Sequence, residues 1–283
     1  MWIWMAVASA LFLGLYDVAK KQALRRNDVL WILLCSTALT SLFLCPFLKA
    51  APTEDFLWIL LKAALVALSW ICGLKAMELL PLTTASTLKA SRPMFVVVLS
   101  VLLLGERLSL PQVLGVVLVV AGLFLLSDTS RRDEGISPGS AGFLWMALSI
   151  AAGVSSALLD KVVMRWMDPL WVQSWCNVFI TAIVGCVLLV KTLLRPGTVR
   201  KLRMDWTLLA IALLITVADA LYFFSLKTEG SMLSVVSVLR RLSVLVTFCC
   251  GAVMWKEKNV KRKTLCLAVL LLGVVLLVIG TIK

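Results

Sequence analysis

The feature that most constrains this chain is a succession of ten apolar segments, each close to the roughly 20 residues that an α-helix needs to cross a bilayer. Short polar stretches separate the segments, which we place at residues 3–24, 29–48, 56–79, 82–104, 110–127, 141–162, 169–190, 205–226, 231–254 and 264–281. Apolar residues make up 61% of the sequence, so lipid must be the solvent for much of it. We therefore predict an all-α integral membrane protein with ten transmembrane helices.

A polar stretch near the midpoint, residues 128–140, divides the ten segments into two sets of five, residues 1–127 and 141–283. The sets align with each other: residues 28–31 match residues 168–171, and Lys89 matches Arg240. Because each set has an odd number of spans, the second copy must be inverted relative to the first. Transporters built from inverted repeats bind their substrates at the repeat interface near the midplane.

The net charge of +13 is carried by short clusters between the apolar segments. This distribution is typical of membrane topology signals and not of nucleic-acid binding. Most lysines and arginines follow the odd-numbered spans, so the positive-inside rule places both termini outside the cytoplasm. The eight cysteines form no CxxC pair and histidine is absent. We therefore expect no metal, no cofactor and no disulfide, and the lack of catalytic motifs argues against an enzyme.

Residues 104–115, Leu-Gly-Glu-Arg-Leu-Ser-Leu-Pro-Gln-Val-Leu-Gly, together with Gly122, resemble the signature that closes each half of the EamA family of drug/metabolite transporters. Glu257 and Gly273 resemble a weaker second copy, in which Cys266 replaces the first glycine. The resemblance implies a ten-helix transporter of the bacterial cytoplasmic membrane, usually an exporter of amino acids or related metabolites. It also implies cytoplasmic termini, which disagrees with the charge distribution, so the orientation stays open.

Four cations lie inside the predicted spans, where ionisable groups are costly and therefore functional candidates. These four are a selection from the cations within the stated spans: Arg240 and Arg241 fall near the middle of the ninth span, and Lys89 and Arg92 share a face of the fourth. Arginine recognises carboxylates and phosphates. We predict that these cations bind the acidic group of a substrate. The alternative is that they pair with Asp17, Asp160, Asp219 or helix-end carbonyls and hold the bundle together.

Asp219 and Asp17 are the candidates for proton coupling. Asp219 follows a long uncharged run, which predicts that it is the deepest carboxylate, and a salt bridge to an arginine of the ninth span is an equal alternative. Asp17 could instead pair with Lys20 or Lys21 one helical turn away. Contacts with substrate or simple packing are both open for four further side chains, Tyr16, Trp70, Asn177 and Tyr222.

Glu106 and Glu257 lie at predicted helix ends, where capping is the favoured role. Glycines seven residues apart form one small-residue stripe in the fifth span and another in the tenth, Gly115 with Gly122 and Gly273 with Gly280. We interpret these stripes as sites of close helix packing.

The function that these features favour is alternating-access export of a small anionic or zwitterionic metabolite, such as an amino acid or an organic phosphate. A lipid-phosphate flippase component and a non-transporting membrane subunit are alternatives. A multidrug exporter is less favoured because cationic drugs would require an excess of buried carboxylates. The predicted partners are a small-molecule substrate and the bilayer, and the oligomeric state is open, with a homodimer as one arrangement.

Overall fold

The helices of the protein were traced in a computed structural model that describes residues 1–24, 26–50, 52–80, 88–89, 91–131, 140–194, 202–255 and 260–282. They are α1 (Trp2–Ala23), α2 (Val29–Phe43), α3 (Thr53–Leu79), α4 (Arg92–Leu104), α5 (Leu110–Arg131), α6 (Ser140–Val163), α7 (Pro169–Leu194), α8 (Trp206–Lys227), α9 (Leu233–Leu239), α10 (Ser243–Trp255) and α11 (Val260–Ile282). A 3₁₀ turn, Arg240–Leu242, joins α9 to α10 within one span.

Ten apolar helical segments are thus present, as predicted, if α9 and α10 are taken as the two halves of the ninth. Within the described residues, seven segments are long and apolar enough to cross a membrane, and three are shorter. Leu102, Leu103 and Leu265 on the outside of the bundle are 70%, 68% and 69% exposed. Apolar surface of this kind is stable when lipid covers it, so the chain is an integral membrane protein.

Aspartates begin matching helices in the two halves. Asp28 accepts a hydrogen bond from the Leu30 amide at the start of α2, at 3.2 Å. Asp168 accepts from the Leu170 and Trp171 amides at the start of α7, at 3.0 Å each. Both side chains satisfy amide groups that a helix N-terminus leaves unpaired, which explains why residues 28–31 and 168–171 look alike.

Helix packing follows a two-fold pattern. Helix α1 of the first repeat packs on α8 of the second. Their counterparts in the other repeat, α6 for α1 and α3 for α8, also pack on each other. The pairs α2 with α7, α4 with α9, and α5 with α11 each map onto themselves when the halves are exchanged. This is the packing expected of two inverted five-helix repeats, while the exact repeat boundaries remain a prediction.

The connections between helices pair at both ends of the bundle. At the end that we call end A, the Trp171 indole N–H donates to the Lys49 carbonyl oxygen at 2.8 Å, which joins the α6–α7 and α2–α3 connections. At the opposite end, end B, the Asn27 amide side chain donates to the Arg203 carbonyl oxygen and accepts from the Arg203 amide. Arg26 also pairs with Asp205 there, at 2.8 Å.

The predicted glycine stripes are the contact between α5 and α11. A Cβ atom on Gly273 would lie 2.7 Å from the Gly115 carbonyl oxygen, and one on Gly115 would lie 2.6 Å from the Gly273 carbonyl oxygen. Around Gly122, a Cβ would lie 3.1 Å from the Cys266 carbonyl oxygen. Because the opposing atoms are backbone, they cannot move aside as a side chain could. The packing role of these glycines is confirmed.

We predict that Gly273→Ala lowers the free energy of unfolding by about 1–3 kcal/mol, because overpacking forces the two backbones apart. Gly185→Ala is the matched control: its Cβ would meet only a side-chain atom of Leu34 at 3.6 Å, so the better helix propensity of alanine should leave stability unchanged or slightly higher. Thermal unfolding in detergent measures both variants. Equal stability of the two would contradict the close contact.

Candidate functional site

The ninth span departs from α-helix at its two arginines. We predicted a continuous helix over 231–254, but Arg240 and Arg241 occupy the 3₁₀ turn between α9 and α10, where the backbone stays right-handed helical. A 3₁₀ segment inside a helix often marks a functional hinge. The turn therefore draws attention to these two side chains.

Arg240 contacts two side chains of α8. Its Nη2 atom lies 2.8 Å from Asp219 Oδ1, and its guanidinium carbon lies 4.3 Å from the centre of the Tyr222 ring. The Arg240 and Asp219 side chains remain 19% and 31% exposed. This is the salt bridge that we gave as one alternative for Asp219, and its partial exposure leaves it open to exchange with a ligand.

The network continues to a second, more deeply buried ion pair. The Tyr222 hydroxyl donates to Asp160 Oδ2 at 3.2 Å, and Asp160 Oδ1 lies 2.6 Å from Lys62 Nζ on α3. The Lys62 and Asp160 side chains are only 5% and 8% exposed. Our expectation that Asp219 is the deepest carboxylate is therefore wrong, because sequence distance from the span edge does not report which helix face is covered.

Sequence reasoning also missed Lys62. It is the one charged residue between Phe56 and Leu74, in an otherwise apolar stretch of α3. That isolation was a usable signal, since a lone cation inside a membrane span needs a partner. Nothing in the residue pattern indicated that the partner would be Asp160, 98 positions further along the chain.

The remaining predicted cations lie beside this network. Arg92 donates to the Gly153 carbonyl oxygen on α6 at 2.5 Å and lies within electrostatic range of Asp160 and Arg240. Arg241 lies within range of Arg92, Arg240 and Asp17. Lys89 is exposed and lies within range of the same Asp17. The fold thus gathers all four predicted cations, Asp17, Asp219 and Tyr222 into one region, which we call the central layer.

Three predicted contact residues have other surroundings. The Asn177 amide group donates to the Gln173 carbonyl oxygen of its own helix, at 2.8 Å. Trp70 packs against the hydrophobic core. The Tyr16 hydroxyl accepts from Lys20 Nζ at 3.2 Å, so Lys20, which we expected beside Asp17, also contacts the aromatic ring.

Several hydrogen bonds close the bundle between the central layer and end A. The Glu106 carboxylate accepts from the Leu233 amide and from both the amide and the hydroxyl of Ser234. Lys161 donates to the Leu226 and Ser231 carbonyl oxygens at 3.1 and 2.7 Å. The capping role of Glu106 is confirmed, although the helix that it caps is α9 of the other repeat and not a helix adjacent in sequence. Glu257 lies outside the described residues.

Helix α9 completes this closure because its side chains have almost no solvent exposure, as seen for Leu233, Val235, Val236, Val238 and Leu239 at 0% each. Together with the Glu106 and Lys161 hydrogen bonds, this packing closes the central layer toward end A.

Comparison with known proteins identifies the family. Residues 1–128 and 140–279 each match the EamA-like transporter family. The chain belongs to this family, whose members are transporters, and the two matches correspond to the two five-helix sets.

Two further similarities agree with the assignment. One solved crystal structure superposes with a TM-score of 0.75 over 98% of both chains at 17% identity, which shows the same fold. A chloroplastic WAT1-related protein of Arabidopsis thaliana is 31% identical over 87 residues, which cover 30% of this chain. The match spans 21% of the length of that plant protein.

We predict that Asp160→Ala destabilises the protein by about 3–5 kcal/mol, because Lys62 would be left charged and unpaired in a buried position. The double variant Lys62→Met/Asp160→Leu should recover most of this loss, since an apolar pair needs no counter-ion. Asp205→Ala, which breaks the exposed bridge to Arg26 at end B, should cost less than about 1 kcal/mol. Thermal unfolding of the variants distinguishes these outcomes; an Asp160→Ala protein as stable as Asp205→Ala would contradict the buried pair.

Proposed function

We propose that this protein is a secondary transporter that moves a small anionic or zwitterionic metabolite by alternating access, with Arg240 and Arg241 holding the acidic group. The observation that carries the proposal is the charge imbalance of the central layer. Among the described residues, this layer and the adjoining buried ion pair hold more cations than carboxylates. The five cations are Lys62, Lys89, Arg92, Arg240 and Arg241, and the three carboxylates are Asp17, Asp160 and Asp219. A positive surplus inside a membrane is costly, and an anionic ligand would offset it.

Hydrogen-bonding capacity supports the same ligand class. The Nε atoms of Arg240 and Arg241 are buried and have no hydrogen-bond partner within the described part of the chain. A guanidinium group presents its donors in a planar fork that matches a carboxylate or a phosphate. Amino acids and organic phosphates both carry such a group. Lys89 and Arg92 would complete the electrostatic field around the acidic group.

The closure at end A supports alternating access from end B. Glu106, Lys161 and helix α9 seal end A, whereas Lys89 is exposed. The inverted repeats allow an opposite state, in which the first repeat adopts the packing that the second has here. End B carries most of the basic connections, so we propose that it faces the cytoplasm. The substrate would then be bound from the cytoplasm and exported, in a bacterial inner membrane.

We predict that a ligand carrying an acidic group raises the melting temperature of the purified protein and that Arg240→Ala abolishes this increase. A native-state ligand at 100 times its Kd stabilises by about 2.7 kcal/mol. The panel contains amino acids, organic phosphates, nucleotides, polyamines, lipophilic cations and phospholipids. Each shift is compared with the same variant without ligand, and Arg107→Ala, at an exposed position near end A, is the control.

The panel also separates the alternatives. Stabilisation only by polyamines or lipophilic cations would overturn the anion proposal and favour a drug exporter. Stabilisation only by phospholipids, lost in Arg240→Ala, would favour a lipid-phosphate flippase component. Stabilisation by one acidic class in wild type and Arg107→Ala, but not in Arg240→Ala, is the expected result.

Asp219 gives the site a means of coupling to protons. It pairs with Arg240, and its partial exposure distinguishes it from the buried Asp160. A substrate acid group would therefore compete with Asp219 for the arginine, and protonation of Asp219 would release Arg240. Lys62, Asp160 and Cys176 also lie within electrostatic range of Asp219. Asp17, beside Arg241, is the second candidate for this role.

We predict that Asp219→Asn binds the acidic ligand about two- to five-fold more tightly, the change expected when a partly exposed ion pair no longer competes. Titration calorimetry with a sulfonate analogue, which stays ionised throughout, measures the change, and Asp205→Asn is the control. Weaker binding to Asp219→Asn than to the wild type would show that Asp219 does not compete for Arg240.

A further inference from the structure

Two surface cavities occupy corresponding positions at the two ends of the bundle. The cavity at end B, of about 570 Å³, lies between α2, α3 and α7 and is lined by Asp28, Val29, Leu30, Ile71, Leu74, Lys75, Met77, Val187, Lys191 and Leu194. The cavity at end A, of about 490 Å³, includes Asp168 and Leu170. Because residues 28–30 match residues 168–170, one wall of each cavity is related by the internal repeat. The other walls differ, since no residue of α8, the counterpart of α3, lines the cavity at end A.

The cavity at end A is occupied by polar groups that bind each other. The Trp166 indole N–H donates to Asp55, and the Trp171 indole N–H donates to the Lys49 carbonyl oxygen. Asp168 accepts from two amides of α7. The polar groups named here are therefore already hydrogen-bonded within the protein, and few of them remain free to bind a ligand.

The cavity at end B has different chemistry. Two lysines, Lys75 and Lys191, stand among aliphatic side chains, and Asp28 already accepts from the Leu30 amide. Lys75 lies 5.7 Å from the centre of the Trp145 ring, a weak contact that leaves its charge available. The cavity thus combines two cations with apolar walls, which suits a ligand that is anionic at one end and apolar at the other.

The position of this cavity identifies that ligand as a lipid. Met77 and Leu194 on its wall are 43% and 77% exposed, so the cavity is continuous with the apolar outer surface of the bundle. It lies at the end where the basic connections concentrate, and basic pockets between transmembrane helices at such an interface bind anionic headgroups. A soluble metabolite would gain nothing from the aliphatic walls that face the bilayer.

We infer that the cavity between α2, α3 and α7 at end B binds an anionic phospholipid, with Lys75 and Lys191 on its phosphate and Ile71, Leu74 and Val187 along its acyl chains. This site is separate from the central layer and does not depend on the proposed substrate. A lipid bound there bridges helices of both repeats, since α2 and α3 belong to the first and α7 to the second. Binding therefore stabilises the contact between the repeats.

The inference predicts a preference for anionic lipid that depends on the two lysines. Purified protein is titrated with phosphatidylglycerol or phosphatidylcholine in mixed micelles, and bound lipid is counted by native mass spectrometry alongside the melting temperature. Phosphatidylglycerol should bind the wild type more tightly, and Lys75→Gln/Lys191→Gln should weaken it about 25-fold, since each lysine near an anionic surface contributes about five-fold. Lys49→Gln, in the matching cavity at end A, should retain full binding.

Three controls make the outcome decisive. Lys75→Arg/Lys191→Arg keeps both charges and should bind normally, which separates loss of charge from a folding defect. Inorganic phosphate alone should give no stabilisation, because the acyl chains are part of the ligand. Arg240→Ala should retain the phosphatidylglycerol preference, which keeps this site distinct from the substrate site. The inference is overturned if the double glutamine variant keeps the lipid preference, if Lys49→Gln loses it equally, or if free phosphate reproduces the effect.

Discussion

A charge inside a lipid-surrounded bundle must have a partner, and the arrangement of the central layer follows from this requirement. Lys62 meets it with Asp160, and Arg240 meets it with Asp219. Tyr222 joins the two pairs, since its hydroxyl contacts Asp160 and its ring lies under Arg240. Removing water strengthens each of these interactions and raises the cost of leaving any of them unmade. The helices that carry these side chains are consequently fixed relative to one another.

The two ion pairs differ in their solvent exposure, which suggests a structural role for one and a functional role for the other. Lys62 and Asp160 are nearly inaccessible, so their pairing holds α3 against α6 in this conformation. Arg240 and Asp219 are partly exposed and lie at the 3₁₀ turn of the ninth span. In the proposed function, this is the pair that a ligand would open. A rigid pair beside an exchangeable one is a workable arrangement for a carrier, because binding can alter one contact while the other keeps the repeats together.

Much of the fold and part of the site could be predicted from the sequence. The ten spans follow from apolar run length, the repeat from the match of residues 28–31 to 168–171, and the close α5–α11 contact from the spacing of four glycines. Arg240 and Arg241 were recognisable because they interrupt a long apolar run. Lys62 was recognisable for the same reason, since it is a lone cation in an apolar run. The 3₁₀ turn of the ninth span could not be predicted, because its local sequence is compatible with a regular α-helix.

The sequence by itself determined that the chain spans a membrane, that it is duplicated and that cations lie at the repeat interface, since these depend on residue type and spacing along one chain. Only the tertiary structure decided which cation pairs with which carboxylate, that Glu106 caps the opposite repeat at Ser234, and that end A is closed. Those outcomes depend on distances between residues far apart in sequence, such as the pairing of Lys62 with Asp160.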